Sequence, residues 1–232
     1  FVKSKVKWNE FNGYSCNDGV KKAYKDKVGN VAEINLMLTA MLRYAGLNAN
    51  PVIISTRSNG IALFPSRAAF NYVISAVEIN NGLVLLDATD KYSLPNILPI
   101  RDLNWSGRLI RKDGTSTEVD LMPKIASSNS VNMNYAIDDK GGDSGKIRRQ
   151  KTDYEAMVFR AVNNGIKEES YLEKLESENE NIEISDYTRA NGNDIKLPVI
   201  ENLSFSGPSL SEIIGGKIYV NPLLFFAFKQ NP

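Results

Sequence analysis

The sequence holds no histidine and one cysteine, Cys16, among its 232 residues. Without an imidazole, this chain alone cannot assemble a Ser-His-Asp triad, a Cys-His dyad or a histidine-ligated zinc site. A lone cysteine forms no internal disulfide and leaves the redox compartment unread. No apolar run reaches the length of about 18 residues that marks a membrane-spanning helix. Neither sign of charge dominates. The 28 Lys and Arg against 27 Asp and Glu give a net charge of +1, so bulk charge calls for no nucleic-acid partner. The chain opens at Phe1 with neither Met nor a signal-like stretch, and reads as a processed or engineered piece of something longer, with a removed targeting segment still open. What is present is ordinary: 42% hydrophobic and 24% charged residues, enough to bury a core. The length suits one large domain or two of usual size.

The clearest element is a helix over about 31–45. Asn30 stands at the N-cap, with Glu33 three residues on in capping-box spacing. Val31, Ile34, Leu38, Met41, Leu42 and Ala45 recur at helical spacing, and Gly46 sits where a helix ends. Strands are expected at 51–56, 70–79 and 83–86, the last two joined through Asn80-Asn81-Gly82. This order gives an antiparallel sheet on a central helix, an α+β layout. Pro95, Pro99, Asn104 and Gly107 break regular structure, which places a domain boundary at 103/104. Domain 1–103 is then helix on sheet, and domain 104–232 is β-rich. The second domain carries strands near 108–112, 115–121, 132–138, 145–150, 182–189, 195–206 and 217–221. Helices are expected at 153–164 and 168–178. Together these read as a β-sandwich-like domain with a helical insertion. The apolar run Leu223–Phe228 is expected to be covered, as a core strand or against another segment.

From the helix onward the sequence resembles the transglutaminase-like family, within the papain-like cysteine protease superfamily. The resemblance rests on Gly29-Asn30-Val31-Ala32-Glu33 opening the helix, then Phe70-Asn71-Tyr72-Val73-Ile74, then Leu86-Asp87-Ala88-Thr89-Asp90. Trp8-Asn9, Gly13-Tyr14, Ala45-Gly46-Leu47 and Ser55-Thr56-Arg57 support it. More narrowly, the chain is similar to the transglutaminase-like domain of bacterial cell-envelope proteins, with its β-rich companion domain of unknown function. The companion is represented by Tyr154, Ala156, Arg160 and Asn221-Pro222. The resemblance implies a periplasmic or cell-surface location.

In an active member of that family, a cysteine begins the central helix, a histidine follows on the next strand and an aspartate lies one strand further on. The helix N-terminus stabilises the thiolate, the imidazole moves the proton and the aspartate orients the imidazole. Carried over, the nucleophile position is Val31, the base position is Tyr72 and the orienting position is Asp87, which is retained. Valine offers no nucleophile, and a phenol with an ordinary pKa near 10 is a poor base at neutral pH. The resemblance therefore implies a catalytically inactive module, a pseudoenzyme acting as a binding or scaffold part of a larger envelope protein and needing no cofactor. Two other readings stand beside it: a cysteine-peptidase or transglutaminase-type acyl-transfer enzyme, and a peptide- or carbohydrate-binding domain. The loop at 57–69, with Arg57, Asn59, Phe64 and Arg67, is expected to overhang the cleft and hold a protein, peptide or glycan ligand.

Other signals have plainer explanations. Cys16, in a turn-like segment, has no base to activate it and reads as a free or structural thiol. Asp138–Asp143 has a calcium-loop flavour but the spacing of a hairpin turn, so no metal is expected. The run Lys21–Lys27 and the acidic stretch Glu168–Glu183 read as solvated faces. The sequons at Asn104 and Asn202 match a pattern only.

Overall fold

The computed structural model describes all residues except 65, 67, 81, 139–141, 180–181, 208–210 and 221–232. The chain mixes helix and strand, with strands in the majority. It divides into two compact units, Phe1–Ala126 and Ser127–Pro232.

The first unit opens with α1 (Val2–Lys5), β1 (Lys7–Trp8), α2 (Val20–Asp26) and β2 (Val28–Gly29), where β1 and β2 form a short parallel pair. The central helix α3 spans Val31–Tyr44. Its start is the capping box that the sequence announces: Asn30 Oδ1 accepts from Glu33 N, and Glu33 Oε2 accepts from Asn30 N, both at 2.9 Å. The second oxygen of Glu33 accepts from the backbone of Asp18 and Gly19, at 2.8 and 3.0 Å. One buried carboxylate thus ties the segment before α2 to the start of α3. Helix α3 ends at Ala45, and Gly46 takes a positive φ of 85°.

After α3 come β3 (Ala49–Ile54), β4 (Tyr72–Ile79), β5 (Gly82–Leu86), β6 (Ser106–Ile110) and β7 (Ser116–Asp120). They pair antiparallel in the order β5-β4-β3-β6-β7. The start of α3 packs onto this sheet. Val31 and Ala32 share a core with Val52, Ile54, Tyr72, Ile74, Leu109 and Val119. Large apolar side chains buried this way contribute about 1.5–3 kcal/mol each. The helix is less fully apolar than its spacing implies. Asn35 and Thr39 lie buried on its sheet side, while Met41 and Tyr44 are exposed.

The expected boundary at 103/104 moves to 126/127. Strands β6 and β7 belong to the first sheet, with Val52 opposite Leu109 and Ile53 opposite Arg108. Gly107, a breaker by composition, is a packing residue. A Cβ there would stand 2.7 Å from Ile54 Cγ2 and 2.8 Å from Val52 Cγ1.

The second unit carries β8 (Asn129–Ile137), β9 (Asp143–Lys151), α4 (Asp153–Asn163), α5 (Glu168–Glu178), β10 (Glu183–Ala190), β11 (Val199–Gly207) and the hairpin β12 (Ser211–Ile214) with β13 (Lys217–Val220). The main sheet is antiparallel in the order β10-β11-β9-β8. Its core joins Ile147, Val199, Leu203 and Phe205 of the sheet to Ala156, Phe159, Tyr171 and Leu175 of the helices. The β content matches the sandwich-like expectation. However, the layer that packs on this sheet is the helix pair, so α4 and α5 are half of the core rather than an insertion. Expected helix spans match within a residue, whereas α1, α2, β1, β2 and β12 had no expectation. Strands β8 and β9 pair antiparallel on either side of the 138–143 segment, where Asp138 Oδ1 accepts from Gly142 N at 2.7 Å and residues 139–141 lie outside the described residues. The apolar run Leu223–Phe228 and Asn221-Pro222 lie outside the described residues. No described helix is long and apolar enough to cross a membrane.

Candidate functional site

Tyr72 is the first residue of β4 and is fully buried. Its hydroxyl donates to Asp87 Oδ2 at 2.8 Å. Asp87 follows β5 and begins a turn in which Thr89 N donates to Asp87 Oδ1 at 2.8 Å. Thr89 Oγ1 adds a contact to Asp87 Oδ2 at 2.9 Å. From one helical turn beyond Val31, Asn35 Nδ2 reaches Asp87 Oδ1 at 2.8 Å and the Val73 carbonyl at 2.9 Å. Asn35 Oδ1 accepts from Ala88 N at 2.8 Å. Helix, strand and turn are therefore locked together around one buried carboxylate.

Arg101 closes this network. It stands in a single 3₁₀ turn, Ile100–Asp102, after Pro99. Its Nε donates to the Tyr72 hydroxyl at 3.2 Å, and its terminal nitrogen donates to Thr89 Oγ1 at 2.7 Å. The guanidinium lies 3.6 Å from Asp87 Oδ2 and 3.9 Å from Asp90. It also stacks 4.5 Å above the Trp8 ring, and Trp8 in turn meets Tyr72 edge-on at 6.5 Å. The Arg101 side chain is 29% exposed while that of Asp87 is sealed. Arginine and tryptophan thus form the outer surface of the network.

Burial and neighbouring charges shift the protonation equilibria of Tyr72 and Asp102. Burial, with the nearby Asp87 and Asp102 carboxyls, pushes the Tyr72 phenol far above its ordinary range. Asp102 is buried, and neither of its oxygens receives a hydrogen bond. Burial first, and the adjacent Asp87 second, hold Asp102 well above the usual carboxylate range. In its protonated form Asp102 can donate to Asp87.

Val31, Tyr72 and Asp87 are brought to one place: Val31 and Tyr72 share a core, and Tyr72 bonds Asp87. Val31 is fully buried, and its amide donates to the Phe11 carbonyl at 3.3 Å. Val31, Tyr72 and Asp87 supply neither a thiol nor an imidazole. The phenol keeps its proton, and the carboxylate is saturated by donors.

Cys16 packs against the same core, and Asn30 Nδ2 donates to the neighbouring Ser15 carbonyl at 2.9 Å. Burial, and then Glu33, push its thiol up, the reverse of an activated thiol. Among the described residues, no three Cys, Asp or Glu side chains gather as metal ligands would.

The four loop residues separate. Arg57 lines a groove of about 890 Å³ with Ile61, Trp105, Glu118, Asp120 and Met122. Asn59 is spent on its own loop, donating to Ser55 Oγ at 3.0 Å. Phe64 is exposed, and Arg67 lies outside the described residues. This groove shares no lining residue with the Tyr72–Asp87 network, while the Arg57–Asn59 turn packs against the Ile100–Asp102 turn that carries Arg101.

Sequence reasoning missed Asn35, Arg101, Asp102 and Trp105. It also missed a buried cluster in the second unit, where Glu201 accepts from Tyr171 at 2.8 Å and from Tyr187 at 2.6 Å. There Arg189 stacks 4.9 Å over Phe159 and 4.6 Å over Tyr171. Only Asn35 left a signal, an amide four residues beyond Val31 on the apolar helix face. Comparisons with models of protein families, with curated proteins and with solved structures return no match.

Proposed function

We propose that this chain is a catalytically inactive module of transglutaminase-like architecture, serving as a binding or scaffold part of a larger bacterial envelope protein. The observation that carries the reading is the closed Tyr72–Asp87–Arg101 network beside a buried Val31. A working site of this class keeps its nucleophile and base reachable and leaves space for an acyl group. Here the corresponding positions hold an aliphatic side chain and a proton-retaining phenol, sealed by Arg101 and Trp8. The periplasmic or cell-surface location in the proposal rests on the sequence resemblance alone.

The competing enzymatic reading needs a nucleophile, and Cys16 is the one thiol in the chain. Its raised pKa disfavours the thiolate that acyl transfer requires. The test is incubation of the intact chain with a glutaminyl peptide and a primary amine, followed by ammonia release and mass spectrometry. The expected result is no product above the blank, with or without iodoacetamide. Turnover abolished by iodoacetamide would overturn the proposal.

A further inference from the structure

Trp105 is the most conspicuous side chain outside the Tyr72 network. It is 59% exposed on a backbone with φ of 64°, a conformation that L residues seldom adopt. The bend holds the indole over the groove that also takes in Arg57, Ile61, Glu118, Asp120 and Met122. Ile61 and Met122 are exposed too, at 51% and 48%, so the groove offers apolar surface to solvent.

The sheet ends beside this groove. Among the described residues, strand β7 is an outer strand, paired with β6 alone. The bonds Leu121 N to Trp105 O and Arg111 N to Thr115 O, each 2.9 Å, fix the phase of that pairing. With Gly107 opposite Val119 and Leu109 opposite Thr117, those residues bond inward to β6. Ser116, Glu118 and Asp120 therefore turn their N–H and C=O groups to the open edge. An open edge is a template for an added strand.

Charge then selects the occupant. Glu118 lines the groove and has no ion pair among the described residues; its cross-strand neighbour Arg108 donates to Ser116 Oγ at 3.0 Å. Asp120 adds a second carboxylate, held by Lys124. One donor of the wall is already used within the protein. The amide of Asn104, the obvious donor in the wall, is spent on the carbonyls of Ser55, Thr56 and Gly60 at 2.8–3.2 Å.

We infer that the open edge of β7 and the adjoining groove bind an extended peptide of another protein. The peptide seats an apolar side chain against Trp105 and Met122 and presents a lysine or arginine to Glu118. This inference gives the binding role proposed above a site and an occupant, and it rests on that reading. Main-chain pairing supplies affinity, and the alternation of apolar and basic side chains supplies selectivity.

The test titrates the intact chain with synthetic nonapeptides that alternate Val, Leu or Phe with Lys, and with matching sets that alternate with Glu. Calorimetry and Trp fluorescence report binding, and mass spectrometry reports the fate of the peptide. At least one Lys peptide is expected to bind with one-to-one stoichiometry, and its Glu counterpart about tenfold more weakly or worse. Glu118→Lys, an exposed change, is expected to weaken the Lys peptide about tenfold, as is N-methylation of alternate peptide amides. Trp105→Ala is expected to lower affinity further, with the thermal midpoint checked alongside. Charge-blind binding, binding that survives Glu118→Lys and Trp105→Ala together, or binding by none of the Lys peptides overturns the inference. Trp105-dependent capture of an N-acetylglucosamine hexamer without any peptide binding overturns the peptide class. A peptide bound but cleaved or coupled to an amine would refute the non-catalytic reading and leave the groove intact. An empty groove in an inert protein would do the reverse.

Discussion

Asp87→Ala is expected to lower the stability of the first unit by about 4 kcal/mol, in the range for removing one member of a buried, hydrogen-bonded charge pair. The change leaves Asn35 Nδ2, the Tyr72 hydroxyl and Thr89 N without their acceptor in a sealed site. It also leaves the Arg101 guanidinium without the carboxylate 3.6 Å away. Each neutral donor stranded without water costs about 1–3 kcal/mol, so the network predicts a loss well above that of a surface pair. The readout is favourable, because both tryptophans, Trp8 and Trp105, lie in the first unit. Their fluorescence during urea unfolding therefore reports that unit. Asp87→Asn keeps one acceptor oxygen and is expected to cost about half as much. A loss below about 1 kcal/mol for Asp87→Ala would mean that the network contributes no more than an exposed contact.

The second large effect depends on pH and concerns Asp102. Its folded-state pKa is raised, by burial first and by Asp87 second. The folded protein thus holds this proton more tightly than the unfolded chain, whose Asp titrates near 3.9. The resulting stabilisation is complete below the unfolded value and is lost as pH rises through the raised folded value. Asp102→Asn keeps a donor toward Asp87 and does not titrate. At pH 4 the two proteins are expected to be close in stability. At pH 8 the variant is expected to be the more stable, because folding then obliges Asp102 to take up a proton or to bury a charge. Urea midpoints at pH 4 to 9 give the difference curve, in which every group common to both proteins largely cancels. A flat curve would show that Asp102 is not held in its protonated form.

The parts of this architecture legible in the sequence are the local ones. The α3 start was readable because Asn30 and Glu33 satisfy one another across three residues, and the structure forms both bonds. Strands β4 and β5 were readable from β-branched runs and turn residues. The polar network was not, since its members are contributed by five separated segments. Nothing near Arg101 in the sequence signals that its partners are Tyr72, 29 residues earlier, and Trp8. Asn35 and Thr39 break the apolar helix pattern because they serve hydrogen bonds to β4 and Asp87. The boundary was misplaced for a related reason. Pro95, Pro99 and Gly107 are linker-like by composition, yet the segment positions Arg101, and Gly107 allows β6 to approach β3. Trp105 and the β7 edge were invisible because an edge strand is defined by the neighbour it lacks, which depends on sheet order.

The central claim is that Val31, Tyr72 and Asp87 stand where a nucleophile, a base and an orienting carboxylate would stand. The most direct measurement installs Val31→Cys with Tyr72→His in a Cys16→Ser background and follows iodoacetamide alkylation against pH. If the claim holds, the introduced thiol sits at the α3 N-terminus beside an imidazole oriented by Asp87. Its alkylation rate should then titrate at least about one unit below the ordinary thiol value near 8.5. Alkylation that titrates at or above that ordinary value, in a protein that retains its fold, would contradict the account.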